Sequence, residues 1–393
     1  MPINLRRTNP VSLNAAFGMR MAWRRAIGLG AGAAGVLALA GWALPKTDAP
    51  VQSLLLSTIG SGPSKPAFKA DCSASPASLQ TELSALAGSF DGKVGIAVAK
   101  AGCDWTVGAR LDQWFPQQSV SKLWVSLSVL DQVDRGAMRL EDALAIGPQD
   151  LTLFHQPIRA EVIEQGVAVK PVHDLMRVAL AFSDNTANDR LLWALGGPKR
   201  VRQTLAAKQL EGIRFGPGER LLQSEVAGLA WDQSLAQGRN FEQARARLPL
   251  DQREAALARY IEDPIDGATP AGMAQALARL AAGDLLSPRA TGVMLDILAK
   301  THSGPRRLKA GAPVGWKVYH KTGTGQELRG QVAGYNDVAL LEAPDGAIYA
   351  VAVMIGATRR PVPERMDLMQ AVSRAVGQYH LNAMQSKPGS DAA

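Results

Sequence analysis

The chain has little of what several classes of protein require. Only two of its 393 residues are cysteine and five are histidine. No Cys/His cluster has metal-ligand spacing, so neither a metal nor any other cofactor is expected. Aromatic residues make up 5% of the chain, too few for the stacking surface of a nucleic-acid binder. Acids are missing from the first 47 positions, which instead hold Arg6, Arg7, Arg20, Arg24, Arg25 and Lys46. These six cations carry most of the net charge of +8 and leave +2 for the remainder, so no basic face for nucleic acid is expected. No internal repeat and no glycine-rich phosphate loop stands out. What remains is 47% apolar and 20% charged, the composition of a packed soluble protein of one large or two ordinary domains.

The early arginines flank residues 26–44, an uncharged apolar run that ends at Pro45. A positive stretch before such a run reads as an export signal, of the general or the twin-arginine type around Arg24-Arg25. Ala38-Leu39-Ala40 has the A-x-A pattern of a cleavage site, yet it lies inside the run, and nineteen residues are about enough to span a bilayer. Periplasmic or otherwise exported protein, released or tethered by residues 26–44, is the expectation. Cys72 and Cys103 both belong to the exported part, where oxidising conditions let them pair.

Residues 1–45 thus read as signal or anchor and residues 46–70, rich in Ser, Pro, Ala and Gly, as a linker. Residues 387–393 read as a flexible tail. Within residues 71–386 the periodicity predicts a helix over residues 79–86 and strands over 94–99 and 105–109. Helices fill residues 119–299 with no convincing strand. Strands return over residues 316–324, 337–341 and 348–355, with Pro344-Asp345-Gly346 as a turn, and a helix closes the chain over residues 363–379. The fold class is therefore α+β. An antiparallel sheet built from both chain ends (residues 71–118 and 300–386) packs with helices, and an all-helical part (119–299) is inserted between, with the active site in the cleft. No conspicuous apolar partner helix is visible, and a monomer is expected.

Three short elements carry chemistry. Ser119-Val120-Ser121-Lys122 opens a buried helix, which gives the Ser119 hydroxyl the positive end of the helix dipole and places Lys122 on the same face to take its proton. Ser183-Asp184-Asn185 lies between two helical stretches, where capping of the second helix is the plainer explanation. His320-Lys321-Thr322-Gly323-Thr324 ends a strand. There a glycine lets a substrate backbone approach, and the lysine and threonines offer a charge and hydroxyls to a carboxylate.

Each element alone is commonplace, but the set S-x-x-K, S-D-N and K-T-G in this order resembles the class A β-lactamases and penicillin-binding proteins. The stretches FPQQSVSKLWVSLSVLDQVDRGAMRLEDAL, SDNTANDRLLWALGGP and GPRRLKAGAPVGWKVYHKTGTG extend the resemblance, especially to the subgroup with H-K-T-G-T. The resemblance implies a three-layer β-lactamase-like fold and a small β-lactam as partner. It makes Ser119 the acylated nucleophile and Lys122 its base or proton relay. Ser183 would pass a proton to the lactam nitrogen and Asn185 would hold the acylamide. Lys321, Thr322, Gly323 and Thr324 would receive the substrate carboxylate, and the backbone N–H groups of Ser119 and Thr324 would form the oxyanion hole. Phe154 or His155 would flank the substrate.

The resemblance leaves the deacylating glutamate open between two candidates. Counting forward from Ser183 gives Glu219, followed at Gln223 by an amide that can hold water. Counting back from Asp266-Gly267-Ala268-Thr269-Pro270 gives Glu254, with no amide after it. The counts disagree because the chain carries about thirty residues more than the family has here. A glutamate at family spacing favours a β-lactamase over a D,D-peptidase or a penicillin sensor, which would acylate and stay acylated.

Overall fold

The computed structural model describes residues 70–386, so the expected signal or anchor, the linker through residue 69 and the tail lie outside the described residues. In chain order the strands are β1 Lys93–Lys100, β2 Thr106–Ala109, β3 Ala143–Ile146, β4 Ala168–Pro171, β5 Lys317–Thr324, β6 Glu327–Leu328, β7 Gln331–Glu342 and β8 Ile348–Thr358. The helices are α1 Ala77–Ser89, α2 Lys122–Asp134, α3 Arg159–Gln165, α4 Val172–Ala181, α5 Asn185–Ala194, α6 Pro198–Ala207, α7 Glu219–Val226, α8 Asn240–Arg247, α9 Leu250–Glu262, α10 Pro270–Ala282, α11 Pro288–Ala299, α12 Leu308–Gly311 and α13 Val362–Gln385.

An antiparallel sheet runs in the order β2-β1-β8-β7-β5, with β6 paired to β7. Strand β1, from the early part of the chain, lies between β2 and β8, so both ends of the described chain build one sheet, as the strand signals predict. β1 is a nearly continuous apolar run because helices cover both of its faces. Val94, Ile96 and Val98 bury themselves with Leu79 and Leu83 of α1 and with Met369, Val372 and Val376 of α13. Ala97 and Ala99, with Ala352 and Met354 of β8, face Met273 and Leu277 of α10. That makes three layers, and α10 joins the sheet although it comes from the helical stretch of the sequence.

Residues 119–299 are not wholly helical. β3 and β4 form a two-stranded antiparallel sheet there, in register from Ala143 opposite Pro171 to Ile146 opposite Ala168. Each strand has four residues and is mostly open to solvent, so neither leaves the alternating apolar signature that reveals a longer strand. β7 starts at Gln331, ahead of the expected residue 337, and α13 runs on to Gln385. Cys72 and Cys103 are joined by a disulfide that fastens the segment before α1 to the turn between β1 and β2. Among the described residues no helix is long and apolar enough to cross a membrane.

Candidate active site

Ser119 does not sit in the first turn of an α-helix. It lies in a 3-10 turn, Gln118–Ser121, that feeds directly into α2. Asn336 of β7 pins the approach to this turn, its Nδ2 donating to the Pro116 carbonyl at 2.7 Å and the Gln117 carbonyl at 3.1 Å. Strand β5 presses against the same turn at Gly323, where a Cβ would stand 2.3 Å from the Gln117 carbonyl oxygen. The space that Gly323 leaves is therefore filled by the turn that carries Ser119, not by a substrate backbone as the motif suggests. Only glycine lets β5 come this close. Lys122, wholly buried at the start of α2, donates through Nζ to Ser119 Oγ at 2.9 Å and also to the Glu219 carboxylate.

The second element begins with Ser183 in the left-handed region at φ 62°, an uncommon conformation for a residue with a side chain. Asp184 caps α5, accepting from Ala187 N–H at 2.8 Å through Oδ1 and from Ile158 N–H at 2.8 Å through Oδ2. Asn185 Nδ2 donates to the Leu153 carbonyl at 2.9 Å, and its buried Oδ1 has no hydrogen-bond partner. Lys321, also wholly buried, reaches across from β5 and donates to Ser183 Oγ at 3.0 Å. Burial, with Lys122 and Arg307 nearby, holds the Lys321 ammonium well below the usual lysine range.

Arg307, just before α12, lies over the Tyr335 ring at 3.8 Å and donates to the carbonyls of Gly323 and Asn336 and to Thr324 Oγ1 at 2.6 Å. Thr322 Oγ1 shares a 2.7 Å hydrogen bond with Ser303 Oγ. Lys122, Lys321 and Arg307 thus gather three buried cations around one short stretch of strand, with Glu219, Asp337 and Asp184 as the carboxylates nearby. An anionic ligand is favoured at such a place.

Glu219 is the first residue of α7, preceded by Gly218 at φ 103°, which L side chains rarely adopt. Asp189, one turn along α5 from Asn185, accepts from the backbone N–H groups of Glu219 at 2.8 Å and Arg220 at 3.1 Å and so caps α7. Burial and the neighbouring Glu219 both push the Asp189 carboxyl up. Gln223, one turn on, places Nε2 3.4 Å from Glu219 Oε2. Glu254 stands elsewhere, on α9, 47% exposed and paired with Arg329 at 3.2 Å. Of the two candidate glutamates, only Glu219 reaches Lys122, which in turn bonds Ser119.

A cleft of about 400 Å³ opens onto Ser119, Ser183, Asn185, Thr322 and Thr324, with Phe154 and His155 on one side and Gln326 on the other. A sequence model of the β-lactamase enzyme family matches residues 78–380. The chain belongs to that family, in class A. CTX-M-25 β-lactamase of Escherichia coli is 27% identical over 302 residues, which span 76% of this chain and 88% of that protein. VEB-1 β-lactamase of Pseudomonas aeruginosa is 25% identical over 293 residues, spanning 74% of this chain and 86% of its own. Among solved structures, the ancestral class A β-lactamase GNCA is 29% identical, with a TM-score of 0.61 over 76% of this chain and 99% of its own.

Within this β-lactamase the expected site residues divide into two shells of one cleft. Ser119, Ser183, Asn185, Thr322 and Thr324 line it, while Lys122 and Lys321 are buried behind and reach the serines by hydrogen bonds, with Glu219 bonded to Lys122. Gly323 lets β5 lie against the turn that carries Ser119, and the disulfide lies in another part of the molecule. Sequence reasoning missed Arg307 and Asp189. Asp189 carried a signal, since four residues after Asn185 is the same face of α5. Arg307 carried none, since it stands in a run of cations that reads as solvated. Among the described residues no cluster of His, Cys, Asp and Glu could hold a metal ion.

Proposed function

We propose that this enzyme hydrolyses β-lactams through an acyl-enzyme on Ser119, with Glu219 as the base for deacylation. The observation that carries the reading is that one buried ammonium, Lys122 Nζ, is hydrogen-bonded at once to Ser119 Oγ and to the Glu219 carboxylate. As Ser119 Oγ attacks the lactam carbonyl, its proton passes through Lys122 toward Glu219. The developing oxyanion is taken by the N–H groups of Ser119 and Thr324, each worth about a hundred- to a thousandfold in rate in comparable sites. The ring C–N bond breaks, the nitrogen receives a proton from Ser183, whose hydroxyl is held by Lys321, and the proton taken up by Glu219 returns through Lys122 to Ser183, which leaves Glu219 a carboxylate again. A water then adds to the acyl carbon, losing a proton to Glu219, and Ser119 leaves with a proton returned through Lys122. Lys321, Arg307, Thr322 and Thr324 supply the charge and hydroxyls for the substrate carboxylate, and Asn185 receives the acylamide. We further propose that residues 26–44 direct export, with the body working as a monomer.

Glu219→Gln mixed with a chromogenic cephalosporin should give a stoichiometric adduct on Ser119 that persists for minutes by electrospray mass spectrometry, with turnover reduced at least about a thousandfold. Glu254→Ala should turn over like the native protein. A Glu219→Gln enzyme that keeps releasing product would remove Glu219 as the base.

A further inference from the structure

Behind the cleft three glutamine side chains are strung in one direction. Gln326 Nε2 donates to Gln223 Oε1 at 3.2 Å, Gln223 Nε2 donates to Gln118 Oε1 at 3.0 Å, and Gln118 Nε2 donates to the Tyr260 phenol oxygen at 2.8 Å. All four side chains are buried, and they come from four parts of the fold: the exit of β5, helix α7, the nucleophile turn and helix α9. At the far end lies Asp266. Its Oδ2 accepts from Gln118 N–H at 2.9 Å, its buried Oδ1 has no hydrogen-bond partner, and the Tyr260 phenol is the neighbouring group that can turn a hydrogen toward it. Burial and Asp266 push the Tyr260 phenol well above its usual range, so that hydrogen stays on the oxygen.

A side-chain amide is a donor at one end and an acceptor at the other, so a string of amides has a polarity that its terminus selects. With the phenol hydrogen committed to Asp266, the phenol oxygen accepts, and the Gln118 NH2 turns toward it. The Gln118 carbonyl then faces Gln223, which presents its own NH2 to Gln118 and, at 3.4 Å, to Glu219 Oε2. Reversed, Gln223 would set a carbonyl oxygen against the carboxylate and push it from its place.

We propose that Tyr260 is a positioning residue for deacylation, acting through Gln118 and Gln223 to fix which end of the Gln223 amide faces Glu219. This rests on Glu219 being the deacylating base. It also gives a purpose to the long segment between Glu219 and Asp266, since α9 carries the tyrosine to the site.

Tyr260→Phe keeps the ring among Leu222, Val226, Leu257, Leu328 and Ala333 and removes the acceptor. A second acceptor, the Ala333 carbonyl, lies 3.4 Å from Gln118 Nε2, too far to hold the amide as firmly. Gln118→Met, similar in volume, removes both amide ends and decides the matter if Tyr260→Phe does not fold. Assays belong at pH 8, because burial pushes the Asp266 carboxyl up to about 7 and it must be ionised to orient the phenol. With the cephalosporin, the variants should accumulate acyl-enzyme. Both kcat and KM should fall about tenfold, with kcat/KM within about twofold of native. Unchanged kinetics in a folded Tyr260→Phe protein, or a joint fall of kcat and kcat/KM without an adduct, overturns the proposal. Glu219→Gln in the same assay separates the two readings. If it traps the adduct and Tyr260→Phe does not, the relay alone is wrong, whereas continued turnover by Glu219→Gln removes both.

Discussion

A lysine with almost no contact with water stands at the centre of the third motif. In the proposed role Lys321 draws a substrate carboxylate as an ammonium, yet burial and two neighbouring cations favour its neutral form. The sign follows. In the free enzyme the ammonium loses its proton as pH rises well before the ordinary 10.5, and with it goes attraction for the carboxylate. Since kcat/KM reports the free enzyme, its alkaline limb for an ordinary β-lactam should begin below the usual lysine range, and a methyl-ester analogue should give a flatter profile. Identical profiles for acid and ester would show that Lys321 does not read the carboxylate. At this scale Ser119, Lys122, Ser183 and Lys321 were legible because each belongs to a short pattern in the sequence. Arg307, Asp189 and Tyr260 were not. Their partners lie far along the chain, Tyr260 being 142 residues from Gln118, and no local spacing announces such a contact.

Between Glu219 and Asp266 the chain folds into α8 and α9, and α8 reaches both Phe154 and the segment after β5. Phe241 of α8 meets Phe154 edge-on, ring centres 5.1 Å apart, in a cluster with Leu153 and Ala227. On the other side Arg245 donates to the Glu327 carbonyl at 3.1 Å. Phe154, 47% exposed and at φ 60°, lines the cleft and owes much of its support to Phe241. Phe241→Ala should therefore raise KM for penicillins with an arylacetamido side chain about fivefold while changing kcat less, as partial loss of one apolar wall does. An unchanged KM would mean that Phe154 holds its place alone. In the sequence, counting from either flanking motif gives different glutamates, which is why extra residues are expected here. What it withheld was the direction in which the addition folds. The β3–β4 pair escaped for another reason, since four mostly exposed residues per strand are held by backbone hydrogen bonds that no side-chain pattern records.

For the molecule as a whole the disulfide and the sheet matter most. The bridge between Cys72 and Cys103 closes a separation of 31 residues around α1 and β1, which by chain entropy stabilises the fold by about 3 to 4 kcal/mol. Replacing both cysteines by alanine should lower the melting temperature by about 5 to 10 °C and leave kcat unaltered, since neither residue lines the cleft. A loss of activity at temperatures where the variant is still folded would tie the bridge to the site. The sheet built from both ends, legible in the sequence as strands flanking a helical middle, has a consequence in time. Lys100 of β1 pairs with Tyr349 of β8, roughly 250 residues later. At about 5 to 20 residues per second, β1 waits some 12 to 50 s during synthesis for the strand that covers its open edge. Throughout that interval the backbone edge of β1 is unpaired and the face of Val94, Ile96 and Val98 lacks α13, so a nascent chain is most prone to aggregate, and most in need of a chaperone, before its last strand exists.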